Sequence, residues 1–235
     1  MNTQYSTDTQ ARPIAKVNSF LRSVYNWMTI GLTLTGATAY YVSKSPVLLN
    51  IIYGNFLIQI IMFAGVLGLV FYLSSRIQKL SASTATTLFI IYAILMGVLL
   101  SYIFLAYTAS SIVSTFFICS LTFGSFSLYG YVTKRDLTAI GGFMMMGLIG
   151  IIIASIVNWF IGSTMLEMII SYIGVLVFVG LTAYDTQKLK EMSNTMPANA
   201  TGSMVRKAVI LGALTLYLDF INLFLFLLRI LGNRR

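Results

Sequence analysis

Two aspartates in apolar surroundings are the residues of this chain best suited to chemistry. Asp185 closes the apolar run 173–184, and Asp219 has apolar residues on both sides within the run 214–225. A charge at the centre of a membrane helix costs at least about 2.5–3.5 kcal/mol, so such a residue normally faces a bundle interior, a partner or a water path. The chain has 6 acidic residues. We expect the remaining four to be solvated in loops, termini or span ends: Asp8, Asp136, Glu167 and Glu191.

A pair of carboxyl groups on adjacent helices can hold a proton between them. Two like charges within a few ångströms cannot both ionise cheaply, so a titrating site can arise without histidine, which the chain lacks. Tyr184, Tyr217 and Asn222 would line this site as a supporting polar seam, and Asn222 shares a helical face with Asp219. In the alternative interpretation, each carboxylate only accepts hydrogen bonds from nearby Tyr, Thr or Asn side chains.

The spacing of the two aspartates poses a geometric difficulty. Asp185 falls near the cytoplasmic edge of its predicted span, whereas Asp219 lies about 16 Å from the cytoplasmic start of its own, at about 1.5 Å per residue. The two side chains meet only if a helix tilts, or if the sixth span continues past Lys188. Arg229, near the end of the last span, is expected to snorkel to the outer interface.

The composition places these residues in a membrane protein. Apolar residues make up 58% of the chain and charged residues 9%, against roughly a quarter charged in soluble domains. This excludes a cytosolic enzyme, a disordered chain and a secreted disulfide scaffold. A single cysteine, Cys119, excludes an internal disulfide, and the absence of histidine excludes Ser-His and Cys-His catalysis and histidine metal sites. The net charge of +9 is explained by positive loops inside the cell better than by nucleic-acid binding.

The charge-free runs predict seven spans in one transmembrane domain, 22–235, after a polar cytoplasmic segment, 1–21, that has no signal peptide. Most Lys and Arg residues fall in loops that are cytoplasmic if the amino terminus is inside, which puts the carboxyl terminus outside. Because the chain ends in two arginines, a re-entrant seventh segment is the alternative. The predicted spans lie near 23–42, 47–74, 84–107, 111–132, 138–161, 165–187 and 208–231.

Five segments of the sequence resemble the Bax inhibitor-1 family, and more closely its bacterial inner-membrane branch. The two most specific contain the aspartates: Gly-Leu-Thr-Ala-Tyr-Asp-Thr-Gln-Lys-Leu at 180–189, and Leu-Tyr-Leu-Asp-Phe-Ile-Asn within 211–225. The other matching segments are 97–104, 129–136 and 227–232. The resemblance covers the chain beyond about residue 20.

The resemblance implies an all-α integral membrane protein with seven transmembrane helices, in which the carboxyl-terminal helix is central and surrounded by the other six. It also implies a passive, pH-regulated calcium leak in the bacterial inner membrane. Asp185 and Asp219 would be the pH sensor and a weak, transient calcium site, and Arg76 a latch that pairs with the aspartates until acid releases it. The expected partners are the bilayer and the calcium ion, with no cofactor, no enzymatic activity and no nucleic acid.

Two other functions stay open. Some members of the family modulate a membrane-anchored protease, so the chain could be an interaction protein without a leak of its own. A more remote alternative is an intramembrane aspartyl protease, because two membrane aspartates on adjacent helices also describe that class. Asp219 lies in Leu-Tyr-Leu-Asp, however, without the Gly-x-Gly-Asp context of such proteases. No nucleotide motif supports energised transport.

Overall fold

The computed structural model describes residues 5–197 and 199–235, with the side chains of residues 5–16 left out. This part of the chain forms nine helices and no strand; a single isolated bridge joins Tyr107 and Arg234. Of the predicted polar segment 1–21, residues 1–4 lie outside the described residues, and the rest is helical and continuous with the first helix. The helices are α1 Tyr5–Ser43, α2 Pro46–Tyr53, α3 Phe56–Arg76, α4 Ala82–Leu100, α5 Ile103–Ala106, α6 Ala109–Val132, α7 Thr138–Ile161, α8 Thr164–Thr195 and α9 Gly202–Leu231.

Among the described residues, six segments are long and apolar enough to cross a membrane: α3, α4 with α5, α6, α7, α8 and α9. The first predicted span, 23–42, lies within α1, which is rich in Thr and Tyr and is not one of the six. The all-helical membrane fold is therefore present, but the predicted seven spans are not confirmed.

Helix breaks divide two of the predicted spans. The run 47–74 is interrupted at Gly54–Asn55, where the Gly54 amide donates to Asn50 O at the end of α2 and Asn55 Oδ1 accepts from Leu57 N to start α3. The run 84–107 is interrupted between α4 and α5. These breaks are compatible with an apolar environment because side chains satisfy the freed backbone groups.

The other helices differ from the predicted spans mainly at their ends. α7 covers the same residues as the predicted fifth span, and Thr108 starts α6 by accepting from Ser111 N. α8 extends to Thr195, eight residues past the predicted end, and α9 starts six residues before the predicted start. The length of an apolar run reflects the thickness of the hydrocarbon layer. A prediction based on such runs therefore does not include the polar turns by which a helix continues beyond that layer.

The last helix, α9, is continuous over 30 residues, or about 45 Å at 1.5 Å per residue. A re-entrant hairpin would need a break that α9 lacks. In the most apolar 18-residue stretch of α9, 67% of the residues are buried, against 11% in the corresponding stretches of α3 and α7. α9 is therefore an interior helix, whereas α3 and α7 expose apolar surface. That six other helices surround α9 stays a prediction.

The chain divides into two compact units. The first contains residues up to Leu105 together with Leu189–Leu214, and the second contains Ala106–Lys188 with Thr215–Arg235. In the first unit, α1 packs along α4: Thr35 Oγ1 donates to Ala93 O at 2.8 Å, and a Cβ on Gly97 would lie 2.6 Å from Thr35 O. Because only glycine permits this approach, Gly97 fixes where the two helices cross.

The second unit positions α8 through close approaches of other helices. Gly130 of α6 lies against the backbone of Ala183, where any Cβ would overlap the carbonyl oxygen. Gly141 of α7 lies against the Tyr184 ring, and Gly174 of α8 against the Phe226 ring of α9. Small residues at such crossings let membrane helices approach closely. These three glycines let α8 pack closely against α6, α7 and α9, and two of the contacts involve Ala183 and Tyr184, next to Asp185.

Candidate functional site

The structure brings Asp185 and Asp219 together in the second unit. Their carboxyl groups lie close enough to interact with each other. Asp219 is buried in α9 with 4% of its surface exposed, and Asp185 on α8 is half-buried. The spacing predicts that the two side chains meet only if a helix tilts or if the sixth span continues past Lys188. The second condition is fulfilled, because α8 continues to Thr195.

One oxygen of the buried Asp219 carboxyl group lacks a hydrogen-bond partner among the described residues. Its Oδ2 atom is buried without a hydrogen-bond partner in the described part of the chain. An ionised carboxylate only accepts hydrogen bonds, whereas a protonated one also donates. A proton placed on either acid would supply the O–H donor that two ionised carboxylates lack. The arrangement is therefore chemically suited to holding one proton between two acids.

Hydrogen bonds fix the register of α8 next to Asp185. Gln187 bridges to the loop between α6 and α7, accepting from Leu137 N at 2.9 Å and donating to Arg135 O at 2.8 Å. The Thr186 hydroxyl lies 3.0 Å from the Ser127 hydroxyl of α6. The sequence reasoning missed the positioning roles of Ser127, Thr186 and Gln187. Thr186 and Gln187 directly follow Asp185 in the Tyr-Asp-Thr-Gln segment, and that adjacency was the available signal.

The three residues of the expected polar seam have different surroundings. Tyr217 is fully buried, and Tyr184 is half-buried with its ring against Gly141 and below the Lys188 ammonium group, 5.8 Å from the ring centroid. Asn222 Nδ2 donates to Leu218 O within α9 at 2.8 Å. The Asn222 amide nitrogen thus serves its own helix backbone, and the role of the three residues as a polar seam beside the aspartates stays a prediction.

Arg76 ends α3 and its side chain is exposed. It belongs to the first unit, whereas Asp185 and Asp219 belong to the second. The pairing of Arg76 with the aspartates therefore stays a prediction.

Glu167 has partners that the sequence did not suggest. Its Oε1 atom lies 3.4 Å from Arg229 Nε and 3.2 Å from Arg234 Nη2. The side chains of Glu167 and Arg229 are each about one-third exposed, at 31% and 34%. They form an ion pair because the first turn of α8 lies beside the last turn of α9.

The described residues contain no group of three or more His, Cys, Asp or Glu side chains that could hold a metal. Calcium takes six to eight oxygen ligands. Asp185 and Asp219 would have to be completed by carbonyl groups and water, so a calcium site at the pair would bind weakly.

Comparison with known proteins assigns the family. The model of the family described as inhibitor of apoptosis-promoting Bax1 matches residues 17–235. The chain is 51% identical over 229 residues to inner membrane protein YbhL of Escherichia coli K12, covering 97% of each chain. It is 48% identical over 216 residues to protein RP147 of Rickettsia prowazekii, covering 92% of this chain and 90% of the relative. A protein of Borreliella burgdorferi is 45% identical over 218 residues, 93% of each chain. With a match across nearly its whole length, the chain belongs to the Bax inhibitor-1 family.

Proposed function

We propose that the protein is a passive calcium leak whose rate depends on pH through Asp185 and Asp219. The observation that carries the proposal is the close approach of the two carboxyl groups, with Asp219 buried and its Oδ2 atom without a hydrogen-bond partner among the described residues. Such a pair changes its proton count with pH because the two acids cannot both ionise cheaply. It offers a titrating site in a chain without histidine.

The same carboxyl oxygens are hard ligands of the kind that calcium prefers. Two of them give weak binding, which a leak needs because the ion must leave again. The proposal includes calcium as transported ion and the bilayer as environment. It includes no cofactor, no catalysis and no nucleic-acid partner.

We infer the location from a relative and from the charges. YbhL of Escherichia coli is named an inner membrane protein, and six helical segments in the described part of this chain are apolar and long enough to span a membrane. We therefore propose a multi-pass protein of the bacterial inner membrane. The Lys and Arg distribution supports an amino terminus in the cytoplasm and a carboxyl terminus outside.

Arg76 is proposed as the latch on the grounds of the family resemblance. An ion pair in a low-dielectric site resists separation until one charge is removed. Protonation of the aspartates would remove that charge, so acidification should raise the leak. Arg76→Ala should leave calcium flux high even at about pH 8, and Lys79→Ala, three residues further on, should keep the wild-type response.

The test is calcium flux into liposomes that contain the purified full chain and no other protein. Flux is measured with an enclosed calcium indicator between about pH 5 and pH 8, with sodium and potassium gradients as controls. We expect calcium entry that rises as the pH falls. Absence of calcium entry at every pH would contradict the leak and favour the interaction protein that modulates a membrane protease. Peptide cleavage that Asp219→Asn abolishes would instead indicate an aspartyl protease.

A further inference from the structure

The segment after α9 is hydrogen-bonded to the connection between α5 and α6. Thr108 N donates to Asn233 O at 3.1 Å, and Arg235 N donates to Ala106 O at 3.0 Å. These two bonds run in opposite directions between the two backbones, and together they make a short antiparallel pair. The segment after α9 therefore lies along a connection that comes more than a hundred residues earlier in the chain.

The same segment also contacts the start of α6. Asn233 N donates to the Ser111 hydroxyl group, in the first turn of α6, at 3.0 Å. A Cβ on Gly232 would lie 2.6 Å from the Tyr107 ring. Because a side chain would not fit there, Gly232 lets the backbone after α9 lie directly on this ring.

Glu167 joins this segment to the start of α8. Its Oε1 atom lies 3.2 Å from Arg234 Nη2 and 3.4 Å from Arg229 Nε, in the last turn of α9. The Tyr107 side chain lies close enough to the Arg234 guanidinium group to interact with it. One carboxyl group thus connects the first turn of α8 with the end of α9 and with the segment that follows. All of these groups belong to the second unit.

The bonds that hold the segment are individually weak. The Arg234 side chain is 61% exposed and that of Glu167 31%, and an exposed ion pair contributes little to stability. The net contribution of each backbone hydrogen bond is modest as well. A contact made of a few such bonds opens much more often than the whole unit unfolds. The segment can therefore be released while the helices stay folded.

We propose that residues 232–235 form a releasable clasp, which holds the starts of α6 and α8 against the end of α9. Release of the clasp would free the ends of three helices on one side of the second unit. The clasp is distinct from the aspartate pair, because Asp219 precedes Arg229 by ten residues of α9, or about 15 Å. Its effect on calcium rests on the function proposed above. Opening of this end would ease passage of the ion, so a weaker clasp should raise the flux.

Hydrogen–deuterium exchange of the purified full chain in detergent tests the clasp. Mass spectrometry follows the backbone amides of Thr108 and Asn233, with the buried Leu223 in α9 as the reference for unfolding of the unit. In the wild type, we expect the two amides to exchange more slowly than in an unstructured peptide and at least about tenfold faster than Leu223. Arg234→Gln should accelerate both amides about threefold.

The matched control is Arg235→Gln. It removes the same charge from the next residue, whose side chain is in no ion pair of the described residues, and it keeps the backbone amide that bonds to Ala106 O. Exchange should stay at the wild-type rate. An increase of the ionic strength from about 0.1 M to about 1 M shortens the range of electrostatic interactions from about 10 Å to about 3 Å. It should accelerate exchange in the wild type and have little effect on Arg234→Gln.

A glycine variant tests the backbone part of the clasp. In Gly232→Ala the new methyl group would overlap the Tyr107 ring, and we expect the Thr108 and Asn233 amides to exchange about tenfold faster. Gly124→Ala on α6, where a Cβ meets nothing within 4 Å, should leave their exchange unchanged. Thermal unfolding verifies that each variant is folded. If Gly232→Ala does not fold, the exposed Arg234→Gln and the salt series decide.

Three results would overturn the clasp. Exchange of the Thr108 and Asn233 amides as fast as in an unstructured peptide would show that the segment is not held. Exchange as slow as that of Leu223 would show a fixed part of the fold that is not released. Equal acceleration in Arg234→Gln and Arg235→Gln would indicate an effect of net charge without a specific ion pair.

Calcium flux into liposomes tests the effect of the clasp on the proposed leak. Arg234→Gln should raise the flux about threefold between about pH 5 and pH 8, and Arg235→Gln should not change it. A flux that stays the same while exchange accelerates would exclude the clasp from control of the leak. Absence of flux in the wild type as well would contradict the leak alone, because exchange is measured without calcium.

Discussion

Asp185 and Asp219 lie close together. Substitution of either by asparagine removes the negative charge and keeps the shape of the side chain. Asp185→Asn keeps the size of the side chain and mimics the protonated state, so we expect the pH response of calcium flux to flatten. Asp219→Asn should shift the pH at which the calcium flux is half-maximal, because it removes the neighbouring charge that affects the protonation of Asp185. Flux in liposomes between about pH 5 and pH 8 measures both effects.

The matched control for these two variants is Glu191→Gln. Glu191 is an exposed acid on the same helix as Asp185, and its loss should leave the pH response of flux unchanged. If Asp185→Asn and Asp219→Asn keep the wild-type curve, the pair is not the sensor. The two aspartates would then be packing residues whose carboxyl groups are satisfied by neighbouring side chains.

Asp136 in the loop before α7 gives a second prediction at the residue scale. Hydrogen bonds from the side chain and backbone of Thr138 lower the pKa of the Asp136 carboxyl from its ordinary value of 3.8. Thr138→Val removes the hydroxyl donor and keeps the amide, which donates at 2.8 Å. We expect the Asp136 pKa to move up part of the way towards 3.8, as measured by NMR titration.

The sign of the related pH effect follows from that direction. A lowered pKa means that the ionised Asp136 is stabilised in the fold. Its contribution is fully present above the unfolded value of 3.8 and is lost as the pH falls through the folded value. An unchanged Asp136 pKa in Thr138→Val would contradict the assigned hydrogen bond.

At the scale of elements, Gly130 sets the distance between α6 and α8. A methyl group there would overlap the Ala183 carbonyl oxygen, two residues before Asp185. Gly130→Ala should therefore lower stability by about 1–3 kcal/mol through overpacking. The control is Gly124→Ala on the same helix, where a Cβ meets nothing within 4 Å. That variant should be neutral or up to about 1 kcal/mol more stable. Thermal unfolding in detergent distinguishes the two, and equal effects would contradict the close crossing.

The break between α4 and α5 depends on Tyr53. Its hydroxyl group lies 3.2 and 3.1 Å from the carbonyl oxygens of Val98 and Leu99, and it accepts from Tyr102 N at 3.1 Å. Tyr53→Phe leaves these backbone groups without that partner, and we expect a loss of about 1–2 kcal/mol. Tyr72→Phe, at an exposed position on α3, should change stability little. A Tyr53→Phe protein that unfolds at the wild-type temperature would show that the hydroxyl does not stabilise the break.

At the scale of the whole molecule, the topology can be tested with single cysteines. Cys119 is buried, so it should react slowly and leave a low background. A membrane-impermeant maleimide applied to intact spheroplasts should label Lys44→Cys and Asn233→Cys. Lys134→Cys should react after permeabilisation alone. Labelling of Lys134→Cys and protection of Asn233→Cys in intact spheroplasts would reverse the proposed orientation.

The order of the residues is enough to assign the class of protein and to identify its most informative residues. Membrane insertion follows from one-dimensional quantities, the length and apolarity of each run, so α7 covers the residues of the predicted fifth span. The cost of placing a charge in hydrocarbon likewise singles out Asp185 and Asp219 from the order of residues alone. Neither conclusion depends on which helices are neighbours.

Which groups lie in contact depends on how the helices pack in three dimensions. Spacing left the contact of Asp185 with Asp219 open, because it depends on how far α8 continues and how close α9 approaches. The ion pair of Glu167 with Arg229 and the hydrogen bonds of Gln187 join residues that are far apart in the chain and lie on different elements. The break at Gly54–Asn55 depends on caps within an apolar run. Contacts between elements are set by the packing of whole helices, which the order of apolar and polar residues along one helix does not encode.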